Sequence, residues 1–190
     1  MYDRRVDADF AIELGADDET LEFPWQDPDG RLHYYDLKRH PELLAKIEEA
    51  SRVPELGAFL AGVNSPAGSF ETAKCDAWVS ADISPEEQTF GKPVKFASYV
   101  DLLFSEELCR FSFADHERFV RRITRLLQAA PEVAAAVQFL IRRCFYLQRN
   151  EVRDGFYVTF YLFGYGDEEE AARARWNEGL KLVDNALRQP

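Results

Sequence analysis

The chain has 190 residues and a mass of 21.9 kDa, long enough to bury about 70% of its unfolded surface without a disulfide or metal staple. Its 46% hydrophobic and 14% aromatic content excludes a wholly disordered or collagen-like chain. The net charge of −11 argues against nucleic acid and anionic membrane surfaces as partners.

The first residues lack the apolar core of a signal peptide, and no stretch reaches the roughly 18 apolar residues of a membrane span. Three widely spaced cysteines, Cys75, Cys109 and Cys144, do not make a disulfide framework and suit a reducing compartment. A soluble, cytoplasmic protein is expected.

Phe10, Ile12 and Leu14 alternate with polar or small neighbours, as a half-buried strand does. Leu21, Phe23 and Trp25 repeat the pattern, with Pro24 demoting that strand to an edge or bulge. Asp27-Pro28-Asp29-Gly30 is a turn signal, and Arg31 to Leu37 reads as a returning strand, so an antiparallel meander is predicted. Pro41 suits a first helical turn, and Pro54 separates that helix from a second over Glu55 to Val63. The loop Asn64 to Gly68 then divides an N-terminal subdomain, residues 1–63, from a main body, residues 69–190, within one domain.

Residues 70–83 and 94–104 alternate clearly and predict two strands. Ser112, with Asp115 three positions on, opens a predicted helix to about Gln128. Residues 136–148 fit both a helix from Pro131 and a strand, because Val137, Leu140, Ile141 and Cys144 match one period and Val137, Phe139, Ile141 the other. Phe156 to Tyr165 reads as a strand, and Asp167 as the cap of a C-terminal helix docked by Trp176, Leu180, Val183 and Leu187. Consecutive strands favour an α+β fold, mainly antiparallel and flanked by helices. A strand at 136–148 would instead give residues 94–188 a ferredoxin-like β-α-β-β-α core.

Pairing the two central strands symmetrically about residues 84–93 sets Asp76 opposite Asp101 and Trp78 opposite Tyr99. Only registers of that parity keep an apolar face on one side and a polar one on the other. The polar face then holds Lys74, Asp76, Trp78, Tyr99, Asp101, Tyr157 and Tyr161, an aromatic, hydroxyl-rich lining suited to a small ligand. Two opposed aspartates would share a proton, bind a cation or do hydrolase-like acid/base work. The same face equally suits docking of the N-terminal elements, with its polar groups satisfied internally.

Arg118, Arg121, Arg122 and Arg125 recur at helical spacing in the one block with excess base, residues 106–150. Such a stripe can grip an anion or an acidic partner, or form a solvated face with internal carboxylates. Cys75 falls on the alanine-rich side of its strand, a poor setting for a nucleophile. The histidines show no metal spacing, no cofactor is implied, and no phosphate-loop, dinucleotide or hydrolase motif occurs. The preferred expectation is a non-catalytic domain that binds a small molecule or a protein, a second copy included. The alternative is a small enzyme using Asp76 and Asp101.

Overall fold

Period-two alternation forces side chains to opposite faces of a strand, and the longest alternating runs of this chain assemble into one sheet. The computed structural model describes residues 6–130, 133–148 and 151–189. Its strands are β1 (Asp7–Glu13), β2 (Thr20–Phe23), β3 (Phe70–Ser80), β4 (Val94–Phe104), β5 (Ala135–Gln148) and β6 (Glu151–Gly166). The order across the sheet is β1-β5-β6-β4-β3, with β2 also on β5. All pairings are antiparallel except those of β1 and β2, which run parallel to β5. The chain is therefore α+β, with a mostly antiparallel but mixed sheet.

The helices are α1 (Glu48–Arg52), α2 (Pro54–Val63), α3 (Glu107–Arg110), α4 (Phe113–Gln128) and α5 (Glu169–Arg188). Helices α2, α4 and α5 supply Leu56, Phe59, Leu60, Phe119, Ile123, Trp176 and Val183 to a large core against one sheet face. Val100, Leu102, Val137, Phe139, Val158, Phe160 and Leu162 form the sheet side of that core. Each comes from a position whose strand neighbours point away, which is why burial follows parity. Gly164 lets α5 lie directly on β6, since a β-carbon there would collide with the backbone of Ala172 and Trp176.

Several expectations are corrected. No N-terminal meander forms, because β1 and β2 pair with β5 and not with each other, and Arg31 to Leu37 contributes only a bridge, Gln26 to His33. Glu13 and Thr20 adjoin consecutive β5 residues, Arg142 and Arg143, so β1 and β2 are one edge interrupted by an outward loop of residues 14–19. The helix expected from Pro41 is a 3-10 turn, Pro41–Lys46, separated from α1 by an extended Ile47. Residues 136–148 are strand; Pro131, the suggested helix start, lies outside the described residues. The ambiguity has a physical cause, since β5 is buried on both faces and its apolar residues no longer alternate strictly. Ser112 does accept the Asp115 N–H at the start of α4, at 3.3 Å. Asp167 does not cap α5; Glu168 holds that position, and the Asp167 carboxylate takes Lys92 at 2.7 Å.

Strand β3, at one end of the sheet, is sealed by side chains. Lys38 donates to the carbonyls of Ser65, Gly68 and Phe70. Asn64 accepts the Thr72 N–H and donates to the Thr72 hydroxyl, the Trp25 indole donates to Ala73 O, and Arg52 donates to Ala77 O. These contacts occupy ladder groups that would otherwise be available to another strand.

Candidate functional site

The second sheet face carries the polar parity set, arranged in rows across the strands. One row reads Trp78, Ala97, Phe163 and Ala136; the next reads Asp76, Tyr99, Tyr161, Gln138 and Asp9; a third reads Asp101, Thr159 and Leu140. From Cys75 to Ser80 the register has the expected parity but is shifted by two residues, so Asp76 faces Tyr99 and Trp78 faces Ala97. The Asp76–Asp101 opposition is thereby corrected. Between Thr72 and Cys75 a bulge changes the register, putting Thr72 opposite Leu102. It keeps Phe70 and Phe104 together on the helix side while Glu71 faces Leu103 on the other.

Both ends of this face are covered. At one end Leu21, Phe23, Leu103, Cys144, Tyr146 and Tyr157 form a second core, with Trp25, Tyr34 and Phe111 packed on it. Arg110 lies over the Phe23 and Tyr146 rings and pairs with buried Glu71, which also accepts the Tyr34 hydroxyl. At the other end the Glu87–Phe90 turn folds over Tyr165: Phe90 stacks on its ring at 4.1 Å, and Glu87 binds its hydroxyl and Lys95. Between the covers lie the half-buried rings of Tyr99, Tyr161 and Phe163 and the partly exposed Trp78. Tyr99 and Tyr161 are 5.8 Å apart, and the Tyr161 and Phe163 rings are nearly parallel, 6.2 Å apart with 3° between planes.

The seven predicted residues divide sharply. Trp78, Tyr99 and Tyr161 share the uncovered strip. Tyr157, 1% exposed, belongs to the second core. Lys74 sits over the Trp25 ring at 5.2 Å. Asp76 accepts Arg52 at 3.1 Å and the Ala77 N–H at 2.7 Å, which holds it at the sheet edge. Asp101 is 2% exposed and accepts the Thr159 hydroxyl at 2.6 Å. Burial pushes its carboxyl up to about 7, against the lowering effect of that hydrogen bond. Burial likewise raises the Tyr99 hydroxyl, and Asp101 adds to the effect.

Sequence reasoning missed Phe163 and Arg142. Phe163 shares the parity of Tyr161 and was legible on that ground. Arg142 becomes visible only once 136–148 is a strand. Its buried guanidinium binds Glu13 at 2.8 Å and Glu19 at 2.9 Å, clamping the two ends of the 14–19 loop, and lies 6.0 Å from the Tyr161 ring.

The arginine stripe lines a shallow depression with Leu126. Arg118 pairs with Asp115, Arg121 with Glu117, and Arg122 donates to the Gln189 carbonyl, so three of the four have internal partners. Cys75 faces the helix core, and burial pushes its thiol up to about 12, which keeps it protonated. Among the described residues no group of acids, histidines and cysteines is placed to hold a metal ion, and no helix is long and apolar enough to cross a membrane. Comparison with protein families, curated proteins and solved structures finds no match for this chain.

Proposed function

We propose that the chain is a single, non-catalytic binding domain whose ligand is a small molecule with a flat unsaturated ring. The observation that carries this reading is the uncovered aromatic strip of Trp78, Tyr99, Tyr161 and Phe163 on a face whose two ends are both closed. Aromatic rings left partly exposed present apolar area and polarised edges to an incoming ring. Gln138, opposite Tyr161, supplies a polar contact at the rim. Three free cysteines are compatible with a cytoplasmic setting.

The hydrolase reading is not adopted. Asp76 is engaged by Arg52, Asp101 is enclosed beside Thr159, and the register does not set the two carboxylates opposite each other. General acid/base work needs both groups within reach of one substrate.

A thermal-shift screen against ring-bearing metabolites tests the proposal. A ligand at one hundred times its Kd stabilises the wild type by about 2.7 kcal/mol. Tyr161→Ala and Phe163→Ala are expected to abolish that gain, while Arg118→Ala on the far helix leaves it intact. Equal stabilisation of wild type and both strip variants would sink the reading.

A further inference from the structure

The sheet has two ends, and among the described residues only β3 is sealed by side chains along its length. At the other end, Gln128 donates to Ala8 O at 2.8 Å. That contact fixes which way the β1 backbone points: in an extended chain the N–H and C=O of every second residue share a side, so Ala8, Phe10 and Ile12 present theirs outward. By the same alternation Asp9, Ala11 and Glu13 turn theirs toward β5. Among the described residues no hydrogen bond to the outward groups of Phe10 or Ile12 is found, and β1 has no strand neighbour besides β5.

Side chains along this edge are sorted by face. Asp7 and Asp9 are exposed on the ring-bearing face of the sheet, followed by Glu13, which Arg142 holds. On the helix face Phe10 is half-buried beneath Arg121, and Ile12 is 46% exposed. Acids thus line one side of an open ladder and apolar groups the other.

We propose that β1 is a docking edge for an extended cationic segment of a partner protein, one that alternates basic and apolar residues and adds to the sheet as a further strand. Basic side chains would face Asp7 and Asp9, apolar ones would cover Ile12 and the rim of Phe10, and the main chain would take the Phe10 and Ile12 groups. Two features of the chain select this occupant over a second copy. Antiparallel self-pairing centred on Phe10 would set Asp7 opposite Glu13, a like-charge contact. The chain's net charge of −11 also repels its own copies and attracts a basic segment.

The test is fluorescence anisotropy with the full chain and a labelled heptapeptide of alternating lysine and valine. Binding is expected, weakened at least tenfold in a peptide of the same composition with its lysines in one block, and in one with glutamate replacing lysine. Ile12→Pro removes an outward N–H without touching a bond to β5, and Asp7→Lys with Asp9→Lys reverses the charge; each should weaken binding at least tenfold. Circular dichroism checks that both variants keep the fold, and the lysine double variant decides the matter if Ile12→Pro does not. Absence of binding, equal binding of the blocked peptide, or affinity unchanged in the lysine double variant overturns the proposal. A wild-type dimer in sedimentation that Ile12→Pro dissociates also overturns it, in favour of a second copy.

Discussion

The two faces of the sheet solve the same covering problem with different materials. On the helix side, α2, α4 and α5 lie over Val100, Val137, Phe139, Phe160 and Leu162, and aromatic rings such as Phe59 and Phe160, 5.5 Å apart, fill the layer. On the other side no long helix lies among the described residues. Trp25, Tyr34 and Phe111 from irregular segments and one 3-10 turn cover the ends, and polar groups are enclosed with their partners. A face closed by long helices is dominated by apolar side chains, with His116 and Ser98 enclosed among them, whereas one closed piecemeal retains more ionisable groups and leaves an opening. The proposed binding surface is what the piecemeal cover does not reach.

That contrast is sharpest in stability. Phe160→Ala, at the centre of the helix face and fully buried, should cost about 3–5 kcal/mol in denaturant unfolding. A loss below about 1 kcal/mol would mean that the helix layer is not the dominant core.

The faces should also titrate in opposite directions. Asp101, on the ring-bearing side, has a folded pKa raised to about 7 from an ordinary value of 3.8. The folded state therefore holds a proton that the unfolded chain releases, and stability falls as pH rises from about 4 to about 7. Asp101→Asn should remove that slope and be the more stable form at pH 8 by more than about 1.4 kcal/mol, one decade in the unfolding constant. His116, on the helix side, is wedged between the Phe104 and Phe156 rings, and burial lowers its pKa below 6.5. The folded state holds this proton less well than the unfolded chain, so stability declines as pH falls below about 6.5, where the unfolded imidazole gains a proton. Urea midpoints across pH 4–9 for wild type and Asp101→Asn separate the two contributions; parallel curves would refute the assignment to Asp101.

Asn64→Ala should cost about 1–3 kcal/mol, since it strands the Thr72 N–H at the sealed edge. Smallest of all, Trp78→Ser on the open strip should change stability by no more than about 0.5 kcal/mol while weakening ligand binding. A large destabilisation there would show that Trp78 belongs to a core.

How much of this was legible follows from where the information lies. The segregation of Cys75 and Ala77 from Asp76 and Trp78 is written in alternation, and the structure keeps it. The bulge between Thr72 and Cys75 has no glycine or proline to announce it, so the pairing partner of Asp76 could not be read locally. Strand β5 was ambiguous because being apolar on both sides erases its period. The parallel docking of β1 and β2 depends on a partner more than a hundred residues away, a choice that short-range turn signals do not encode. Of the site, Tyr99 and Tyr161 were assigned to one face, although Tyr99 was expected opposite Trp78 and not Tyr161; Arg142 was hidden inside the ambiguous strand.

The plugging of β3 by Lys38, Asn64, Trp25 and Arg52 has a consequence for assembly. A sheet that can grow from either end is a seed for fibres, because each added unit exposes a fresh terminus. With one terminus stoppered, growth can proceed only from β1 and stops once that end is occupied, so the sheet is built for finite complexes and resists open-ended polymerisation.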